Sequence, residues 1–204
     1  MPRTWGGKSS CFAPFHAFSG FDATAQFSGK GKKSAWRAWK TYPAAIAGFT
    51  NASQDGFIPL EFTSAAFRLI QRFTCIMYDS TTSYDKVNDL RQDVFPTRVK
   101  MMEKLPPTET ALLQHANRCL SQASIWKNSL KPIIAAPNPE GFGWTREDTG
   151  WRPVWTTLPA AAVGCREIIK CVCKAGPTCA RKCRCKTAGL TCTALCLWRG
   201  LSES

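Results

Sequence analysis

Acidic residues are scarce in this chain, which has 14 Asp and Glu against 27 Lys and Arg in 204 residues and a formal net charge of +13. The excess of basic residues is distributed unevenly along the chain. Residues 1–60 carry seven basic and two acidic residues, residues 61–164 carry twelve and ten, and residues 165–204 carry eight and two. Two basic ends on a near-neutral middle favour nucleic acid as a partner, because surplus positive charge attracts a polyanion.

Long apolar runs are absent as well. No run of 18 apolar residues occurs, so we expect no membrane-spanning helix. Residues 1–15 include Arg3 and Lys8 and have no continuous apolar core, which is unlike a secretory signal peptide. We therefore expect an intracellular chain. A hydrophobic content of 44% is enough to bury the core of one or two domains.

Cysteine, in contrast, is abundant and clustered: eight of the eleven lie between Cys165 and Cys196. In an extended backbone, the two side chains of a Cys-x-Cys pair point to the same side, with their Cα atoms roughly 7 Å apart, at the limit of disulfide geometry. A disulfide between them is strained, whereas each thiolate can reach one of two neighbouring metals. Two such pairs within fifteen residues predict a polynuclear zinc–thiolate cluster. The predicted ligands are Cys171, Cys173, Cys179, Cys183, Cys185, Cys192 and Cys196.

Two other interpretations of these cysteines stay open, namely a secreted disulfide scaffold and unliganded thiols. The odd total and the absence of a signal-like start argue against the first. Two tetrahedral zinc ions that share one bridging sulfur need eight minus one, or seven, thiolates, which matches the seven regularly spaced cysteines. We therefore expect about two zinc ions per chain.

The spacing resembles the tesmin-type CXC domain, a zinc-cluster DNA-binding module of chromatin and cell-cycle regulators. That family places nine cysteines around three zinc ions, and this chain matches the first seven, including the small-residue run at 187–190 before the sixth. Trp198 stands at the eighth position, and the ninth, near Leu201 or Ser202, has no cysteine. The resemblance implies a nuclear DNA-binding protein with a shortened cluster.

Basic residues alternate with the cysteines. Seven thiolates and two Zn²⁺ sum to −3, and residues 165–204 carry +6, so more cations are present than the cluster needs. Family members insert a side chain, often Tyr, into the minor groove at the position held here by Lys182. We therefore expect electrostatic binding with little sequence preference. The predicted DNA contacts of the tail are Arg181, Lys182, Arg184 and Lys186.

A second candidate site is the Gly-Lys-Gly-Lys-Lys-Ser-Ala segment at residues 29–35. A glycine-rich turn that enters a helix exposes backbone N–H groups and can hold a phosphate at the helix N-terminus. The segment lacks the preceding strand and the Gly-Lys-Ser/Thr ending of a nucleotide loop, so we do not expect an ATP site. The predicted DNA contacts here are Gly29, Gly31, Lys32 and Lys33.

This turn and the preceding Gly20-Phe21-Asp22 resemble the helix-hairpin-helix region of flap endonucleases, where an aspartate binds a catalytic metal and the hairpin grips DNA. Phe21 replaces the cysteine that is usual there. A two-metal nuclease needs a whole cluster of carboxylates, so we interpret Asp22 as a helix-capping or turn residue and expect no catalysis. The whole chain resembles a shortened copy of a group of animal proteins of mobile-element type. Those proteins join a nuclease-like core to a CXC tail.

The middle of the chain is predicted to be helical. An apolar stripe at three- and four-residue spacing runs from Phe62 to Met77. A shorter helix is expected to begin near Val87 and to stop at Pro96. A third helix is expected from the N-cap Thr108 to Lys131.

Two further features lie on or after the third helix. His115 and Cys119 are four residues apart and can reach one metal together. A closed zinc site takes four ligands, however, so we expect both to pack in the core. Residues 142–155 are predicted to form a hairpin that turns at residues 147–150, with Trp144, Trp151 and Trp155 as a small tryptophan core.

We thus predict a mainly α-helical chain in four parts. These are a basic region with a helix-hairpin-helix-like turn at 1–60, a helical segment at 61–130, a Pro/Trp linker and hairpin at 131–160, and a zinc module at 161–204. The predicted function is zinc-dependent DNA binding in the nucleus without catalysis. The alternatives are a C-terminal fragment of a metal-dependent nuclease and a zinc-folded protein-interaction module.

Overall fold

The computed structural model describes residues 9–22, 24–53, 58–98, 104–132 and 136–158. This part of the chain contains six helices and one two-stranded sheet, which confirms the mainly α prediction. The chain divides into two compact units, Met1–Thr157 and Leu158–Ser204. The predicted zinc module at 161–204 lies outside the described residues. The elements are α1 (Ser9–Phe18), α2 (Lys32–Thr41), α3 (Ala44–Ala52), α4 (Ala65–Tyr78), α5 (Val87–Arg98), α6 (Glu109–Lys127), β1 (Trp144–Glu147) and β2 (Gly150–Pro153).

The predicted helices α4 and α6 form, and each has a side-chain N-cap. The Ser64 hydroxyl accepts a hydrogen bond from the Phe67 N–H at 3.3 Å, and the Thr108 hydroxyl accepts one from the Ala111 N–H at 3.3 Å. Helix α6 ends at Lys127, four residues before the predicted stop at Lys131. The Asn128 side-chain amide donates to the Ser124 carbonyl at 2.9 Å, which satisfies a terminal acceptor of the helix.

The predicted stop of α5 at Pro96 is wrong, because the helix continues to Arg98. A proline lacks one backbone donor, so it removes a single hydrogen bond from a turn that other residues can still close. The helix therefore ends just after the proline rather than at it.

The core of the described helices is built from aromatic rings. The ring centroids of Phe15 and Trp39 are 4.5 Å apart, those of Phe18 and Phe49 are 5.3 Å apart, and those of Phe49 and Phe73 are 5.7 Å apart. All three pairs meet edge to face, an arrangement that adds to the energy of burial. Because α1 packs against α6 and α3 against α4, helices from both sides of position 60 share one core.

The predicted hairpin is present, with Trp144 opposite Pro153 and Glu147 opposite Gly150. One η nitrogen of Arg118 on α6 holds it by donating to the carbonyls of Gly143 and Val154, at 3.1 Å and 2.6 Å. The predicted tryptophan core is wrong. Trp144 packs against the main core, but Trp151 and Trp155 are 40% and 60% exposed, because two short strands cannot cover three indoles.

None of the helices in the described ranges combines the length and the apolar character that crossing a bilayer requires.

Candidate nucleic-acid interface

The glycine-rich segment forms the predicted turn into a helix. The Lys30 N–H donates to the Phe27 carbonyl at 3.0 Å, and Gly29 has a φ of +65°, a conformation that side-chain-bearing residues rarely adopt. Helix α2 then begins at Lys32, with Gly31 as its N-cap. Gly31 has no side chain to cap the first N–H groups, and no side-chain cap hydrogen bond is made at the start of α2.

Lys32 points its ammonium group at the end of α1 rather than at this turn. Its Nζ lies 2.7 Å from His16 Nδ1 and 2.7 Å from the Gly20 carbonyl oxygen, and 3.2 Å from both the His16 carbonyl and the Ser19 hydroxyl. A cation at a helix C-terminus is favourable because the last carbonyls carry partial negative charge and lack partners within the helix. Lys32 therefore fastens α2 to the end of α1.

The same contacts account for the titration of this pair. Burial lowers the pKa of His16, and the neighbouring Lys32 ammonium lowers it further. Burial also lowers the pKa of Lys32. A neutral His16 ring can accept a hydrogen bond from Lys32 through Nδ1, so the lowered pKa of His16 favours the observed contact.

Replacing Lys32 by Ala is expected to lower the free energy of unfolding by about 1 kcal/mol, because the end of α1 loses a charged capping group that is partly screened by solvent. Lys33→Ala is the matched control, since Lys33 is an exposed lysine one residue further along the same helix. Urea titrations of the two variants measure the difference. Equal stability of both would show that the Lys32 contacts contribute nothing.

Helix α2 carries a basic exposed face. No Asp or Glu occurs between Asp22 and Asp55, whereas five Lys and Arg do. Among these, Lys33, Arg37 and Lys40 are exposed. With no carboxylate in the same stretch of sequence to neutralise them, these cations form a positive surface suited to an anionic partner.

A cationic cavity lies between this face and the end of α4, with a volume of about 110 Å³. Lys30 and Arg37 supply positive charge to it, and Ser34 and Ser80 supply hydroxyl groups. Lys30 is held in place because its Nζ donates to the Tyr78 carbonyl at 3.2 Å and lies 5.6 Å from the centre of the Tyr78 ring. Among the described residues that line this cavity none is a carboxylate, so its chemistry suits a phosphate group.

Asp22 occupies a tight turn. The N–H and carbonyl groups of Phe21 and Thr24 are hydrogen-bonded to each other across it, and Asp22 is exposed. Its predicted place in a turn is confirmed. Within the described ranges, no group of three or more His, Cys, Asp or Glu side chains is arranged to hold a metal ion.

His115 and Cys119 lie in the core, as predicted. His115 Nε2 is 2.9 Å from the Phe18 carbonyl oxygen and therefore donates to it, and the Cys119 sulfur is 3.6 Å from the same nitrogen. Burial lowers the pKa of His115 to about 4 and raises the pKa of Cys119. A neutral imidazole and a protonated thiol are the forms that this environment favours.

The structure separates the predicted DNA contacts of residues 29–33 into two groups. Gly29, Gly31 and Lys33 lie together at the turn and the start of α2, whereas Lys32 faces α1. The seven predicted zinc ligands and the tail cations Arg181, Lys182, Arg184 and Lys186 lie outside the described residues.

Sequence reasoning missed Lys30, Ser34 and Arg37 as one site. Their spacing was a usable signal, because residues 34, 37 and 41 follow the three- and four-residue repeat of a helix and so share a face. The contribution of Ser80 had no such signal, since it depends on how α2 packs against α4.

No protein-family model matches this chain, and no curated protein or solved structure is similar to it.

Proposed function

We propose that this protein is a zinc-binding, DNA-binding protein of the nucleus that has no catalytic activity of its own. The observation that carries the proposal is the cationic cavity beside the basic exposed face of α2. The described residues that line the cavity include two cations and several hydroxyl groups and no carboxylate, which is the donor set that DNA-binding proteins use for phosphates.

The start of α2 adds to this donor set. Uncapped N–H groups at a helix N-terminus favour anions, and Lys33 is exposed one residue into the helix. Together with Arg37 and Lys40, it extends the positive surface along the helix. Contacts of this kind position a protein on the sugar–phosphate backbone and carry no base information.

The cysteine-rich tail supplies the proposed second contact. Its seven spaced cysteines are the proposed ligands of two zinc ions, and the zinc-folded segment presents Arg181, Lys182, Arg184 and Lys186. Two weak phosphate-binding elements on one chain bind more tightly than either alone, because the second contact forms within the complex.

The double replacement Lys33→Ala and Arg37→Ala is expected to weaken DNA binding and to reduce the slope of log affinity against log salt by about two. Each neutralised phosphate contributes about −0.9 to that slope. Fluorescence anisotropy with a labelled duplex, measured at several salt concentrations, gives both values.

The matched control is Arg68→Ala with Arg146→Ala, which removes the same charge from exposed arginines on α4 and the hairpin. If the control weakens binding as much as the α2 variant does, net charge rather than this site determines affinity, and the proposal fails.

The same samples are incubated with flap and duplex DNA in Mg²⁺ or Mn²⁺. We expect no cleavage, and cleavage that is lost in Asp22→Ala would favour the nuclease alternative.

A further inference from the structure

A second cavity, of about 230 Å³, lies next to the cationic one. Tyr78 lines both cavities, and Ser28 and Lys30, two residues apart on the same turn, line one each. Residues two apart in a chain lie within about 7 Å of each other. The two cavities are therefore near neighbours along the Phe27–Lys30 turn.

The chemistry of the second cavity differs from that of the first. Its walls are largely aromatic and aliphatic, formed among others by Phe27, Tyr78, Leu105, Pro107 and Trp155. It is smaller than the roughly 300–1,000 Å³ of sites that enclose drug-sized molecules. Its size and lining suit one flat ring system rather than a complete cofactor.

Trp155 is the exposed part of this wall. Its side chain is 60% exposed, and the guanidinium carbon of Arg118 lies over its ring at 5.3 Å from the centroid. Arg118 is itself fixed by its two hydrogen bonds to the hairpin carbonyls. The indole is thus held by a fixed cation at the rim of an apolar cavity, where a second π system can stack on it.

We propose that the two cavities bind consecutive parts of a single-stranded nucleic acid, with a phosphate at Lys30 and Arg37 and an unpaired base against Trp155. This inference rests on the proposed function, because it assigns the anion in the cationic cavity to a nucleic-acid phosphate. The base must be unpaired, since a base within a duplex has no free face for stacking on a side chain. A positively charged groove beside an aromatic platform is the arrangement that such binding requires.

The test uses the full zinc-loaded chain, a labelled oligothymidylate and an abasic strand of the same length, which keeps the phosphates and lacks the bases. Trp155→Ala is expected to lower affinity for oligothymidylate by roughly 5- to 150-fold, the loss that removal of one stacking partner causes. Its salt slope and its affinity for the abasic strand should not change. Trp155→Phe should recover part of the loss.

Trp151→Ala is the control, because Trp151 is an exposed tryptophan of the same hairpin and does not line the second cavity. Equal affinities of the Trp155 and Trp151 variants for oligothymidylate would overturn the inference, as would an equal loss on both strands. In either case the proposed function survives if the wild-type chain still binds both strands with a salt-dependent affinity. Binding of neither strand would reject the proposed function as well.

Discussion

Chelation of the purified chain is expected to release two zinc ions and to unfold residues 165–196, while the helical part of the chain stays folded. Structural zinc contributes on the order of 10–16 kcal/mol to the folding of small zinc modules, far more than a segment of this size gains from packing. Native mass spectrometry before and after chelation counts the metal, and far-UV circular dichroism follows the helices.

The cysteines of the described part should not contribute to this metal count. Cys11, Cys75 and Cys119 are buried, and burial raises the pKa of Cys75 to about 12. Zinc binds the thiolate, which such a site disfavours. Their burial leaves the remaining eight cysteines, all in the tail, as the available ligands.

Two matched variants make the zinc prediction specific. Cys183→Ser removes a residue of the spaced set and should reduce the metal content, whereas Cys165→Ser lies outside the spacing and should leave two zinc ions bound. A wild-type chain without zinc, or with disulfides among the tail cysteines, contradicts the assignment. So does a chain in which both variants lose metal equally.

Acidification from pH 7 to pH 4 is expected to destabilise the helical domain by about 3 kcal/mol through His115 alone. Burial lowers the folded-state pKa of His115 to about 4, against 6.5 when unfolded, and each pKa unit corresponds to about 1.4 kcal/mol. Since protonation favours the unfolded state, the stabilising contribution is complete above pH 6.5. It is lost as the pH falls from 6.5 towards 4.

The surroundings of His115 compensate only in part for a positive charge, because burial lowers its pKa by more than the hydrogen bond to the Phe18 carbonyl raises it. The Phe18 carbonyl is its hydrogen-bond acceptor, the Phe18 and Phe27 rings lie 5.1 Å and 4.9 Å from its ring, and the Arg118 cation lowers its pKa further. Cys119, the neighbouring titratable group, stays protonated because burial raises its pKa. Among the described residues, an imidazolium here would have no carboxylate partner.

His115→Gln is the informative variant, because its amide can donate to the Phe18 carbonyl but does not titrate. Urea unfolding at pH 7 and pH 4 should show a smaller acid sensitivity for this variant than for the wild type. His16→Gln, at the chain's other and exposed histidine, serves as the control. If His115→Gln and the wild type lose stability in parallel, the buried histidine does not control the acid response.

The sequence predicted the longer helices, whose starts are marked by capping residues. Helices α4 and α6 have apolar residues at three- and four-residue spacing and N-caps at Ser64 and Thr108, so periodicity and capping located them, although the consecutive residues 73–78 and 115–121 are buried. Helices α1 and α3 were missed because they are short and apolar on nearly all sides, and α1 contains Pro14. A helix enclosed by others shows little periodic contrast.

Only those parts of the candidate site that depend on residues close together in the sequence were predicted. The turn at Gly29 and the start of α2 follow from residues 29–35 themselves. The different orientations of Lys32 and Lys33 depend on where α1 ends. The proximity of Trp155 to the Phe27–Lys30 turn depends on how the hairpin is anchored to α6 through Arg118. Such long-range contacts leave no pattern in the sequence.

The most direct test of zinc-dependent DNA binding is the affinity of the zinc-loaded wild-type chain for a labelled duplex, measured across a series of salt concentrations. We expect log affinity to fall linearly with log salt, by about 0.9 for each phosphate contacted, and to fall further when zinc is removed. We also expect similar affinities for duplexes of different sequence. Affinity that is independent of salt, or unchanged by removal of zinc, would contradict the account.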